Sequence, residues 1–420
     1  MLQKAVTSVG EARRAILRHV PRLPAERVTV GEALGRVLAE PVISRLDLPP
    51  WDNSAMDGYA VRAADVLEGK RLPIALDVPA GAASGRVLPE GAAARIMTGA
   101  PLPQKADAIV PVESSAGPRG AGAYADLGEW VSFERAPAPG HHIRRRGEDV
   151  RRGEVVVEAG EVCTPARIAL AASVGRAAVS VFRRPRVSIV STGDELVDVD
   201  EADHPDCIVN GNAYGLVVMV LDAGAVPTLL PIVPDDGAAL RTALDEALGG
   251  DVVVTVGGVS AGARDLVLPA LEAAGVELVV RGVALKPGGP MAFGFRSDGR
   301  CVFALPGNPV SALVTFELFV RPALLRMAGY RRCFRRPVRA RLAEAVEPTP
   351  GKDTYLRCRL EPDGEGWRAA PTGPQGSGIL SSLARADGLA IVPPGDDRLE
   401  AGTPIDVLPL GDEPFHHEGP

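Results

Sequence analysis

The amino-acid sequence predicts a multidomain protein centred on a doubly wound α/β sheet, with β-rich segments before and after it. Three observations lead there. Residues 186–325 alternate short apolar runs with helical patterns, the mark of a parallel sheet covered on both faces. Residues 55–140, and again those after about 330, carry short β-branched runs broken by Gly and Pro, which read as small β domains. At 420 residues the chain exceeds a single core, since domains run about 100–200 residues, and three or four units are expected.

The elements follow in order. Two short helices are expected at Gly10–Val20, with apolar positions at helical spacing, and at Val30–Ala39. The break Asp47-Leu-Pro-Pro-Trp51 opens the first β-rich region, with strand-like runs at Leu76–Ala80, Ala94–Met97 and Ala108–Val112. A basic loop at His141–Arg146 precedes a strand at Val155–Val157. Thr164-Pro165 then starts a helix with Thr as cap and Pro in the first turn. Val187–Ser191 and Asp251–Val256 are unbroken apolar runs that suit strands buried on both faces. Helices are expected at about 212–223, 236–248 and 264–274, and a strand at Leu278–Val280. The strand Cys301–Leu305 breaks at Pro306-Gly307 and feeds a helix at Asn308-Pro309.

Composition narrows the function classes. A net charge of -7 argues against a general nucleic-acid binder, which needs a basic face to displace counterions. The longest apolar runs, such as Leu216–Leu221, fall far short of the roughly 20 residues of a membrane span. No secretory signal is read at the N-terminus. Five cysteines, odd in number and widely spaced, give neither a disulfide framework nor a zinc set, so reduced thiols in a cytoplasmic protein are expected. A tail at 411–420, with His416-His417 among Gly, Pro and acids, is expected to be flexible.

Ligands of open parallel sheets bind beyond the carboxyl ends of the strands, and four polar segments fall there. Thr192-Gly193-Asp194-Glu195 follows a strand. Its acids suit a divalent cation or a hydroxyl, or simply decorate a helix N-terminus. Gly257-Gly258-Val259-Ser260, continuing to Asp265, is a glycine turn whose N–H groups can approach an anion. It lacks the Gly-Lys-Ser/Thr of a Walker loop, and a plain tight turn is the alternative. Lys286-Pro287-Gly288-Gly289 offers one ammonium for phosphate or oxyanion, or an ordinary surface lysine. Pro306-Gly307-Asn308-Pro309 is a rigid strand-to-helix turn. Their convergence fits a phosphate-bearing ligand and a bound metal. Asp235-Asp236 precedes a helix, and one of the two is a cap, with the choice open. Elsewhere, residues 52–60 form either an involved turn or a binding loop. Arg144-Arg145-Arg146 beside Glu148-Asp149 is either an oxyanion grip or a solvated charge run.

Read together, DNSAMDGYA at 52–60, RIMTGAP at 95–101, IRRRGEDV at 143–150, STGDEL at 191–196, GGVSAGARD at 257–265 and LPGNPVSA at 305–312 resemble the MoeA family of molybdopterin molybdenumtransferases, to which the E domain of gephyrin is similar. The resemblance runs from about 10 to 410 in the family's order. It implies four domains: an elongated helical/β unit from 1–46 and 141–178, an inserted β domain at 47–140, a molybdopterin-binding α/β domain at 179–328 and a C-terminal β domain at 329–410. It also implies a homodimer whose cleft lies between the α/β and C-terminal domains of one subunit and the inserted domain of the other. The implied reaction inserts molybdate into adenylyl-molybdopterin with magnesium, releasing AMP and molybdenum cofactor.

By the same resemblance, Asp57 and Thr98 belong to the inserted-domain side of the cleft, and Arg144 and Asp149 to the basic and acidic positions of the 143–150 loop. Glu195, Asp265 and Asp235 or Asp236 are the acids, Glu195, Asp235 and Asp265 being the implied metal ligands. Lys286 matches the family's first loop lysine, and Ser377 the C-terminal contribution. The family's second loop lysine is Gly289 here, and the nearest upstream basic residue is Arg281, which is the candidate to supply the missing charge. Two alternatives are a molybdopterin adenylyltransferase, whose own domain resembles 186–325, and a non-catalytic scaffold of the gephyrin kind; in the molybdenumtransferase reading a separate adenylyltransferase is an expected partner.

Overall fold

The computed structural model describes residues 7–201, 206–259, 266–364 and 366–411. They fall into two compact units, one of Met1–Glu26, Gly35–Ala39 and Val181–Pro420, the other of Arg27–Leu34 and Glu40–Ser180.

The first unit is built on a six-stranded sheet in the order Val226–Leu229, Arg186–Ser191, Val252–Val256, Cys301–Leu305, Ala292–Phe295, Glu277–Arg281. The first four strands are parallel, as the unbroken apolar runs require. The last two extend the sheet antiparallel, with Ala292–Phe295 against Cys301–Leu305 on one side and Glu277–Arg281 on the other. Both faces are covered. Val187, Ile189, Val252 and Val254 face a core shared with the helices Gly211–Asp222 and Pro309–Thr315, while Val190 and Val253 face one shared with Gly237–Ala247 and Val267–Ala273.

The helix Val9–His19 is set by a capping box, Ser8 accepting from the Glu11 N–H and the Glu11 carboxylate accepting from Ser8. Its Val9, Ala12 and Ile16 form the one apolar stripe that helix has to bury, and they join the core of the α/β layer. An ion pair fixes the lower edge of the sheet: Arg183 donates two hydrogen bonds to Asp251, 2.8 and 2.7 Å, and the Arg186 N–H a third at 2.8 Å. Burial pushes the Asp251 carboxyl up, but those bonds outweigh it and hold the group below its ordinary value.

The C-terminal part of the same unit is a closed β barrel. Strand Asp353–Asp363 pairs with Gly366–Pro371, and the ring continues through Val338–Leu342, Pro404–Pro409 and Gly388–Val392 back to Asp353–Asp363. Closure leaves no open edge in that ring. The two-residue strand Leu285–Lys286 leaves the α/β layer and lies parallel to Asp353-Thr354.

The second unit carries a seven-stranded sheet in the order Ala108–Pro111, Gly58–Val61, Ala93–Ile96, Leu72–Val78, Trp130–Phe133, Ser115–Gly117, Gly120–Ala121. Gly58 has no substitute there, because a Cβ would fall 2.1 Å from the Val110 carbonyl oxygen. The helix Pro165–Ser173 begins as expected, with Thr164 accepting from the Arg167 N–H. The helix expected over Val30–Ala39 is only a 3-10 turn at Val30–Ala33. It cannot propagate past Gly35, which sits at φ +72. Beyond residue 411 the expected tail lies outside the described residues. Among the described residues no helix is long and apolar enough to cross a membrane.

Candidate active site

The three central parallel strands of the first unit end level with one another. Ser191 is the register partner of Val256, and Val256 of Leu305. Neighbouring strands lie about 4.8 Å apart, so the loops beginning at Thr192, Gly257 and Pro306 leave the sheet side by side. Their glycines are used. Gly257 and Gly258 sit at φ +93 and +62, and a Cβ on Gly257 would lie 2.8 Å from the Thr192 carbonyl. Gly307 approaches the Gly257 Cα to within van der Waals contact of its own missing Cβ. The Gly257 N–H is spent on the Leu305 carbonyl at 3.1 Å, so an anion at this edge would be met from Gly258 onward.

The acids divide by function within this edge. Asp236 caps the helix Gly237–Ala247, accepting from the N–H groups of Ala238 and Ala239 at 3.0 and 2.8 Å. Asp235 faces the neighbouring loop. It accepts from the Thr192 hydroxyl at 3.2 Å, and its own N–H donates to Asp194 at 3.0 Å. The open choice between the two is therefore resolved by the cap. Glu195 is exposed, and its carboxylate folds over Gly193, where a Cβ would meet it at 2.6 Å. Ser260 and Asp265 lie outside the described residues. Among the described residues no group of three His, Cys, Asp or Glu side chains stands close enough to cage a metal ion. Of the expected metal ligands, Glu195 and Asp235 stand on adjoining loops, and magnesium commonly takes one or two carboxylates and completes its shell with water and substrate phosphate.

Two more segments of the first unit reach this edge or its barrel side. Asn308 occupies the cap position of the helix Pro309–Thr315 without a side-chain capping bond, which leaves its amide uncommitted. The first N–H groups of that helix look outward, and the Val310 N–H is met by the Ser377 carbonyl at 3.1 Å. Asn212, unassigned by the sequence, donates to the Gly307 carbonyl at 2.7 Å. Lys286 is exposed, and its ammonium is 3.4 Å from the Thr349 hydroxyl, itself 3.1 Å from that of Thr354. Arg281 does not supply the charge missing at Gly289. Its guanidinium is engaged by Glu272 of the neighbouring helix.

Sequence reasoning also missed Arg357. It is 1% exposed, without an acidic partner among the described residues, and burial pulls it below its ordinary value. Its Nε donates to Ser382 at 2.9 Å and its Nη2 to the carbonyls of Pro374 and Gly376 at 3.2 and 3.0 Å. Gln375 closes the clamp by accepting from the Arg357 N–H and donating to its carbonyl. Arg357 thus fixes the loop that presents Ser377. In a strand reading TYLRCRL nothing marks it, since alternation alone assigns an arginine to the wet face.

In the second unit the Asp57 carboxylate accepts from the Thr98 N–H at 2.6 Å and its hydroxyl at 2.7 Å. Those two bonds, the backbone one first, hold the carboxyl below its ordinary value, so it is ionised at neutral pH. Strand Ile143–Arg144 pairs with Asn53-Ser54, placing Arg144 opposite Asn53. Of the three arginines, Arg145 pairs with Asp52 and Arg146 with Asp47. Arg144 has no ion pair among the described residues and is exposed, as is Asp149, whose N–H bonds the Leu48 carbonyl. The His141 and His142 rings lie against each other, tilted, with centroids 3.9 Å apart, and burial followed by that neighbour lowers the His142 pKa.

Residues 7–175 match the family model of the MoeA N-terminal region (domain I and II), 188–326 that of a probable molybdopterin binding domain, and 339–410 that of the MoeA C-terminal region (domain IV). The fold and its loops are thus those of a multidomain molybdopterin-binding protein. A molybdopterin molybdenumtransferase 2 of Mycobacterium tuberculosis is 39% identical over 96% of this chain and 99% of its own, and a molybdopterin molybdenumtransferase of Nostoc is 34% identical over 96% and 94%. A solved molybdopterin biosynthesis MoeA protein of Pyrococcus horikoshii superposes with a TM-score of 0.82 at 32% identity, over 97% of this chain and 99% of that one. The chain belongs to the MoeA family.

Proposed function

We infer that this protein is a molybdopterin molybdenumtransferase, the enzyme that completes molybdenum cofactor. The observation that carries the reading is the level ending of three parallel strands, which gathers the Thr192, Gly257 and Pro306 loops with Asp235 and Ser377, in a chain whose full-length relatives bear that name. The adenylyltransferase alternative is not favoured, because those relatives match across the N-terminal region and the barrel as well as the α/β domain.

In finer detail, we propose adenylyl-molybdopterin and molybdate as substrates and AMP as the second product. The dithiolene and molybdate are both anionic, so the protein must bring like charges together. The Gly258 and Asn308 N–H groups bind the phosphates, since the Gly257 N–H is held by the Leu305 carbonyl and the Val310 N–H by that of Ser377. Lys286 binds an oxyanion as a point charge, and Asn308 orients the ligand through its free amide. Glu195, Asp235 and Asp265 would hold magnesium. When bound, that ion neutralises the phosphoanhydride charge as AMP leaves. Asp57 and Arg144 act from the second unit, in the family arrangement a homodimer's cleft, Arg144 gripping oxyanion oxygens through its forked donors.

The test is incubation with adenylyl-molybdopterin and molybdate, with and without magnesium, following AMP and the reconstitution of an apo-molybdoenzyme. Magnesium-dependent release of AMP with active cofactor is expected, and Glu195→Gln should abolish it while pterin binding persists. Turnover of ATP instead would establish an adenylyltransferase, and binding without turnover a scaffold. Sedimentation tests the homodimer, expected at twice 43.8 kDa.

A further inference from the structure

A second cavity lies in the first unit, along the body of the helix whose N-terminus forms the Asn308 turn. Between Asn308 and Glu317 the chain climbs about 13 Å at 1.5 Å per residue, so this space is separate from the loops at the sheet edge. Its volume is about 320 Å³. Met219 of the helix Gly211–Asp222, Leu313 of Pro309–Thr315, and Leu383 with Leu389 from the barrel side make apolar walls. One end is charged. There the helix loosens into a π turn at Phe316–Val320 that carries Glu317, 6% exposed, into the interior. Such turns recur at functional sites.

The ionic contacts at that end are shared unequally. Arg335 takes the Glu317 carboxylate, with Nε at 2.7 Å. Arg321 is left with the same carboxylate at 3.7 Å, a salt-bridge distance without a hydrogen bond. Its side chain is 17% exposed, and its Nε is buried with no partner. Asp222, the other acid of the lining, is 69% exposed and 3.8 Å from Arg335. With Asp222 counted the cluster is neutral, but Arg335 makes the nearer contacts to both acids, so Arg321 is left without a hydrogen-bonded carboxylate. A buried guanidinium N–H without an acceptor is costly, and a carboxylate is the group whose geometry matches the fork of Nε with a terminal nitrogen. Burial pulls Arg321 below its ordinary value, with Glu317 opposing, as expected of a cation short of partners.

We propose that this cavity binds a small monocarboxylate with an apolar body, the carboxylate meeting Arg321 and the body lying between Met219, Leu313 and Leu383. A volume of this size is at the lower end of small-molecule pockets, which suits a medium-chain or arylalkyl acid. Nothing in the molybdate reaction calls for such a ligand, so the site is a second one.

The test is calorimetry on the full chain with octanoate and 4-phenylbutanoate as probes, and octanol as the uncharged control. One molecule of octanoate per chain should bind, octanol should bind much more weakly, and the comparison with phenylbutanoate tells a flexible chain from an aryl body. Arg321→Gln should weaken octanoate about tenfold or more, the value of a charge-assisted hydrogen bond. Leu383→Trp, which fills the cavity and leaves the charges alone, should abolish binding, and it decides the matter if the arginine variant does not fold. No octanoate binding, equal binding of octanol, or unchanged binding to Leu383→Trp would each overturn the proposal.

Discussion

Asp235 and Asp236 are adjacent acids of one exposed turn, and the structure predicts opposite consequences of losing each. Asp236 accepts two backbone N–H groups of the helix Gly237–Ala247. Removing a capping acid costs about 1 kcal/mol, within a range of about 0.5–2, so Asp236→Ala should lower stability by that amount in urea titrations followed by circular dichroism. Asn caps as well as Asp, so Asp236→Asn should stay within a few tenths of wild type. Asp235 accepts only the hydroxyl of the buried Thr192 at 3.2 Å, a bond worth about 1 kcal/mol net whose acceptor oxygen an asparagine keeps. Asp235→Asn should therefore leave the urea midpoint almost unmoved. If Asp235 helps to hold magnesium beside the substrate phosphates, the same variant should raise the magnesium concentration for half-maximal AMP release by at least about tenfold. Asp236→Asn should not change that concentration. The reasoning is refuted if Asp235→Asn turns over with wild-type magnesium dependence, or if Asp236→Ala is as stable as wild type.

Three further outcomes are expected. Gly257→Ala must place a Cβ 2.8 Å from a carbonyl oxygen at φ +93, so it should lose about 2 kcal/mol in denaturant titration and most pterin affinity by fluorescence titration. Asp57→Asn keeps the shape of the Thr98 contact and removes the charge, so turnover should fall by about a hundredfold with thermal stability unchanged, whereas Thr98→Ser should retain activity. Asp251→Asn breaks the paired end of the sheet and should cost about 2 kcal/mol at pH 7. Since the folded pKa of Asp251 is depressed, its contribution is full above the unfolded value of about 3.9 and disappears as pH falls through the folded value. The gap between variant and wild type in urea midpoints should close in that acid range and nowhere else.

Much of the α/β layer was legible because its central strands are buried on both faces and so read as mostly apolar runs without alternation, from Val187 and from Val252, with only small hydroxyls at Ser188, Ser191 and Thr255 among them. Cap-and-proline pairs at Thr164 and Asn308 marked helix starts for the same local reason. Ala292–Phe295 escaped notice because a short strand behind the Pro/Gly-rich segment 287–290 looks like loop, and its antiparallel pairing is a tertiary fact. The site was partly legible. Glycine turns and acids announced a crevice, but which of Asp235 and Asp236 caps depends on backbone angles, and Arg281 looked available until Glu272 was found beside it. Arg357 was invisible, since its burial arises from a loop folding over the barrel strand that carries it.

The short strand Leu285–Lys286 gives the barrel a second attachment. The chain enters the barrel once in sequence, after residue 327, but the barrel is also stitched through Asp353-Thr354 to a segment some seventy residues upstream of its own ring strand. That pairing adds a backbone tie to the apolar contact that Tyr355, Leu389 and Leu408 of the barrel already make with the α/β core. Lys286 belongs to that tie, so its ammonium travels with the barrel's Thr349 and not as a free arm. Cutting the chain ahead of the barrel would do more than remove a domain. It would leave a two-residue strand with no partner, and with it the lysine would lose its bearing.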